Sequence, residues 1–129
     1  MPKLGIESLD DLAAGAVFLA TGGGGDPHVA QLIAEQALER YGPVELLPPG
    51  ELADDAYVVA IGAVGAPTVS LELLPSINEA RDTLLAFEER VGRKVDAVVS
   101  FEIGGGNSLI PIVAAAAAGV PIIDGDGMG

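Results

Sequence analysis

The chain has 129 residues, half of them hydrophobic, with two Tyr, three Phe, no Trp and no Cys, and a formal charge of −13. Its length fits one domain with a single core. The missing cysteines exclude disulfides, thiolate nucleophiles and Cys-ligated zinc, and the strong negative charge opposes nucleic acid and anionic membranes.

Ser8-Leu9-Asp10-Asp11 resembles a capping box, with Ser8 as N-cap, and Leu9, Leu12, Ala13, Ala16 and Leu19 follow at helical spacing. Gly22 to Gly25 stop that helix. Asp26-Pro27 restarts the chain, since Asp caps well and Pro suits the first helical position. Val29, Leu32, Ile33, Ala37 and Tyr41 make the apolar stripe of a second helix. Val44–Leu47 reads as a short strand and residues 57–62 as a continuous apolar strand covered on both sides. Residues 63–76, with Gly65, Pro67 and Pro75, read as a loop. Ile77, Ala80, Leu84, Phe87 and Val91 predict a helix stopped by Gly92, and Val95–Phe101 the next strand. Asn107 or Ser108 is expected to cap a helix running to Ala118. That helix is apolar nearly all round and demands cover on several sides. A final strand is expected over residues 120–124.

The closing β-α-β-α-β order predicts an α/β fold, a mostly parallel sheet with helices on both faces, and a single domain over residues 1–129. In such sheets ligands bind outside the carboxyl ends of the strands. No apolar run approaches the roughly 20 residues a bilayer requires, and Met-Pro-Lys-Leu-Gly lacks the order of a signal peptide, so a cytoplasmic location is expected.

Three glycine-rich stretches lie at element boundaries: residues 21–28, 102–108 and 124–129. Glycine permits positive φ and close backbone approach, and loop amides beside a helix start can hold anions or carbonyl oxygens. A nucleotide is disfavoured. Gly22 to Gly25 only approximates a dinucleotide fingerprint, there is no P-loop, and no Lys or Arg lies between Arg40 and Arg81 or after Lys94. Glu102 stands out, because a carboxylate leaving an apolar strand into three glycines is costly unless paired or functional. Asp26, Asn107 and Asp124 have a plainer reading as caps or turn formers, and His28, the sole histidine, as a surface residue.

Thr21-Gly-Gly-Gly-Gly-Asp-Pro-His28, Gly62-Ala-Val-Gly-Ala-Pro-Thr68, Phe101-Glu-Ile-Gly-Gly-Gly-Asn-Ser108 and Asp124-Gly-Asp-Gly-Met-Gly129 together resemble the S-methyl thiohydantoin desulfurase-like family. The resemblance implies an enzyme that hydrolyses or desulfurises a cyclic amide such as a hydantoin or thiohydantoin ring. It also implies that the chain corresponds to the N-terminal part of a longer architecture with a second domain. Within that frame Glu102 and Asp126 are the candidate catalytic carboxylates. Gly23, Gly24, Thr68, Gly104, Gly105, Gly106 and Asn107 are the candidate substrate-binding residues, the amides of Gly104 to Gly106 serving a developing oxyanion. Asp26, His28 and Asp124 are candidate ligands for a divalent metal. The expected partners are a small cyclic amide and either a second copy of the chain or a companion polypeptide. An alternative is a non-catalytic subunit that completes a hydantoinase- or oxoprolinase-type complex.

Overall fold

The computed structural model describes residues 1–73 and 75–128. Five strands, β1 (Lys3–Leu4), β2 (Val44–Leu47), β3 (Val58–Ile61), β4 (Ala97–Ser100) and β5 (Ile122–Asp126), form one sheet in the order β1-β2-β5-β4-β3. Strands β2 to β5 run parallel, and β1 lies antiparallel at the edge, Lys3 opposite Glu45. The helices are α1 (Leu9–Ala20), α2 (Pro27–Tyr41), α3 (Pro67–Glu72), α4 (Ile77–Val91) and α5 (Ile110–Ala118). This is the expected α/β class with a mostly parallel sheet.

Local chemistry sets most boundaries. The Asp26 side chain accepts from the His28 backbone N–H at 2.9 Å with Pro27 in the first turn. Ser76 and Glu79 form a reciprocal capping box at the start of α4, and Gly92 ends that helix at φ 74°. Three local expectations are corrected. Ser8 makes no capping bond, because a 3-10 turn over Ile6–Ser8 brings the chain into α1 already wound, with Ser8 at φ −92°, ψ −11°. Asn107 and Ser108 do not cap α5. They belong to a 3-10 turn, Gly105–Ser108, and Leu109 stands at the helix entry. Within the expected loop 63–76, α3 forms with Pro67 in its first turn, where the fixed φ of proline starts a helix as readily as it breaks one. Leu74, in the same expected loop, and Gly129, the end of the third glycine stretch, lie outside the described residues.

Helix α5 packs on the sheet, and α2 and α4 pack in turn on α5. Residues 111–116 are therefore buried throughout, with Ile112, Val113 and Ala114 fully inaccessible. The cover that the all-apolar α5 demands comes from within this chain: two helices and a sheet surround it. By strand alternation Val59, Ile61 and Val98 face this core. The segment between β2 and β3 contributes the 3-10 turn Pro49–Glu51, which packs on β5. No helix among the described residues is long and apolar enough to cross a membrane.

Candidate functional site

Strands β3 and β4 end in register, Ile61 beside Ser100, and Ser100 pairs with Asp126 at the end of β5. The register of β5 shifts between Ile122 and Asp126, so that Asp124 lies exposed while Asp126 returns beside Ser100. Three chain segments, after residues 61, 100 and 126, thus leave the sheet at one edge. The loop between α1 and α2 closes on it from the helical side through contacts of both helices with the turn Gly105–Ser108.

Asn107 is the centre of this edge. It is 9 % exposed; its Oδ1 accepts from the Ala63 backbone N–H at 2.7 Å, and its Nδ2 donates to Glu102 Oε1 at 3.0 Å. One side chain therefore joins the loop after β3 to the loop after β4 and orients the Glu102 carboxylate. Glu102 is half-buried, and its Oε2 has no protein partner among the described residues. Since no buried polar side-chain atom there lacks a partner, Oε2 reaches solvent. Asp126 differs. Its Oδ2 accepts from Ile103 N–H at 2.9 Å and its Oδ1 from Met128 N–H at 3.1 Å, so the carboxylate ties the ends of β4 and β5 together.

Ser100, which the sequence reading passed over, is 3 % exposed, and its hydroxyl lies 2.6 Å from the Glu102 carbonyl and 2.8 Å from that of Asn107. It holds the turn that carries both functional candidates. The available signal was period two: Ser100 follows Val98 on the core-facing side, a polar residue where an apolar one belongs. Ser108 plays a similar part, its hydroxyl donating to the Gly105 carbonyl at 2.9 Å.

The glycines have another use than expected. Gly106 N–H donates to the Gly24 carbonyl at 2.9 Å, and a Cβ on Gly106 would approach the Asp26 carbonyl at 3.3 Å. A Cβ on Gly104 would lie 2.9 Å from Ala20 Cα. Gly24 and Gly105, at φ 73° and 65°, press backbone against backbone. The close approach permitted by Gly24, Gly104, Gly105 and Gly106 is between parts of the protein itself, the turn after β4 and the corner where α1 passes into α2. Gly106 N–H, already bonded, is withdrawn as an oxyanion donor. Gly23 is exposed, its N–H bonded to Ala20 O at 2.8 Å, and Thr68 is exposed on α3. The structure does not gather Asp26, His28 and Asp124 into a ligand set. All three are exposed, the Asp26 carboxylate caps α2, and among the described residues no group of three or more His, Cys, Asp or Glu side chains is arranged to hold a metal ion.

No Lys or Arg stands in the loops 21–28, 62–66, 101–109 or 124–128, so these segments carry carboxylates with no Lys or Arg side chain beside them to draw an anion. A cavity of about 170 Å³ opens beside it, between the end of β3 and the start of α4, touching Gly62 and Ala63.

The S-Me-THD-like N-terminal domain model matches residues 7–129, nearly the whole chain and all four glycine-bearing segments. The chain belongs to the S-Me-THD-like family. The match is to that family's N-terminal domain, as the motifs implied. No curated protein shows significant similarity to this S-Me-THD-like domain. Among solved structures it is similar to a protein from Chromobacterium violaceum, with a TM-score of 0.80 and 26 % identity over 98 % of the chain. The chain spans 35 % of the length of that protein.

Proposed function

We propose that this S-Me-THD-like domain is the ligand-holding part of an enzyme that hydrolyses or desulfurises a cyclic amide, a hydantoin- or thiohydantoin-like ring, with Glu102 as the general base. The observation that carries the reading is the Ala63–Asn107–Glu102 chain of hydrogen bonds at the carboxyl edge of the sheet. It fixes one carboxylate oxygen and leaves the other accessible.

In this reading a water loses its proton to Glu102 Oε2 as its oxygen bonds to a ring carbon. The bond from that carbon to the ring nitrogen or to the methylthio sulfur then breaks, and the leaving group takes the proton back from Glu102, which restores the carboxylate. Glu102 is suited to that role because one oxygen is held by a donor while the second faces solvent. Asp126 serves in this reading as a structural tie, since both of its oxygens already accept backbone N–H groups. A neutral ring also fits the absence of Lys and Arg from the surrounding loops. The test is turnover of hydantoin and of an S-methyl thiohydantoin by the chain, with binding followed at the Ala63 and Ile103 amides by NMR. No perturbation of either amide by either ring sinks the proposal.

A second reading, a non-catalytic subunit that completes a companion's site, is favoured by the apolar rim. Val64, Phe101 and Met128 are large and exposed around the same edge, and Phe18 is 82 % exposed at the end of α1. Exposed apolar residues gathered at one edge suit contact with further polypeptide. Native mass measurement with a hydantoinase- or oxoprolinase-type partner separates the two: a stable complex, with turnover lodged in the partner's residues, favours the subunit.

A further inference from the structure

The cavity between the end of β3 and the start of α4 adjoins the hydrogen-bonded site at Ala63. It holds about 170 Å³ and is lined by Ile61, Ala63, Ser76, Ala80, Thr83 and Val113, among others. Ile61, Ala80 and Val113 are buried core residues, so its floor is apolar. An apolar cavity of about 150 Å³ is large enough to take benzene. Position adds to size. Ala63 lines the cavity, and its N–H is the group that Asn107 holds, so the cavity opens one side chain away from Glu102.

We infer that this cavity is a side-group subsite, taking a branched aliphatic substituent of about three to five carbons carried by the ligand that Glu102 addresses. The mouth sets the charge it accepts. The Glu79 carboxylate is fixed at the lip by Ser76 N–H and Oγ, each at 2.8 Å. A fixed negative charge there repels an acidic substituent and admits a neutral one. The identity of the ring rests on the cyclic-amide reading above, whereas the aliphatic subsite rests on the cavity itself.

The experiment titrates the methyl-labelled chain with hydantoin, 5-isopropylhydantoin and isobutyramide, the last carrying the branched group without a ring. Burying three carbons gives 5-isopropylhydantoin roughly tenfold or greater preference over hydantoin, with shifts at the Ala80, Thr83 and Val113 methyls. Ala80→Leu, which fills the cavity, removes the preference. Thr83→Leu, at an exposed position, serves the same purpose should Ala80→Leu fold poorly. Equal affinity for both hydantoins, with silent methyls, overturns the subsite even where the ring reading holds. Isobutyramide shifting those methyls while neither hydantoin binds retains the subsite and removes the ring reading. No methyl shift with any of the three probes overturns the subsite.

Discussion

Gly24 and Gly105 meet backbone to backbone: a Cβ built on Gly105 would sit 2.5 Å from the Gly24 carbonyl carbon and oxygen, and the next amide, Gly106 N–H, donates to that oxygen. This junction ties the loop between α1 and α2 to the turn that carries Asn107. Gly105→Ala adds a side chain at φ 65° and forces the two loops apart. The cost of a strained conformation plus overpacking is about 2–6 kcal/mol. A urea-unfolding midpoint unchanged from the wild type would refute the junction. Gly25→Ala, at φ 82° with no atom in reach, isolates the conformational part of the cost and should destabilise less.

Asn107→Asp replaces the donor to Glu102 by a second carboxylate while retaining an acceptor for Ala63 N–H. Two carboxylates facing each other where a 3.0 Å hydrogen bond stood repel, and the Asn107 donor is lost. The variant should therefore be less stable than the wild type at neutral pH by about 1–3 kcal/mol, read from the urea-unfolding midpoint. Equal midpoints in the two proteins would mean that the Asn107–Glu102 contact is not made in solution.

Glu88 gives the fold an acid-sensitive joint away from the site. It is 8 % exposed; its Oε1 accepts from the buried Val95 N–H at 2.8 Å and its Oε2 from Lys94 Nζ at 2.6 Å. The Lys94 hydrogen bond, followed by that of Val95, holds its carboxyl below the usual carboxylate range. A carboxylate with a depressed folded pKa stabilises fully above its unfolded value of 4.5 and loses that contribution as pH falls through the lower folded value. Glu88→Gln keeps an acceptor but no charge, so the difference in stability between wild type and variant should shrink on acidification below about pH 4.5. A gap constant from pH 7 to pH 3 would contradict the ion pair. Glu88→Ala leaves Val95 N–H without its partner, at a cost of about 1–3 kcal/mol at neutral pH.

What the sequence made legible follows the range of the interactions. Asp26 capping His28 across Pro27, and Gly92 closing α4, are decided within four residues, and both stand where the pattern put them. Strand β1 has two residues and no periodicity to read, and its existence depends on Glu45, distant in sequence. Helix α3 was hidden because Pro67 signals a loop and a helix start equally. The glycine stretches were legible as special backbone, but their mutual contact was not, since nothing local to Gly105 reveals Gly24 across the fold. The same holds for Asn107: its residue type suits a cap, and only the arrival of Ala63 beside it makes it a bridge.

The catalytic proposal meets its sharpest test in Glu102→Gln. The substituted amide keeps an oxygen to accept from Asn107 Nδ2, so the bridge to Ala63 is retained. A surface-reaching position of this kind changes stability by less than about 1 kcal/mol. What the variant lacks is a basic oxygen at Oε2, and with it the means to take a proton from water. Turnover of a hydantoin or thiohydantoin should therefore fall by a factor of 10² to 10⁴, roughly the share a positioned general base supplies. Ligand affinity, followed through the Ala63 amide signal, should change little, because the variant removes a charge and leaves the Ala63–Asn107 bond in place. Asp126→Asn should behave in the opposite way, loosening the Ile103 and Met128 amides and lowering the unfolding midpoint, with activity falling only in step with the folded fraction. Full turnover in Glu102→Gln removes Glu102 from the chemistry. A large loss of stability in that variant, with activity per folded molecule intact, reassigns it as a structural acceptor for Asn107.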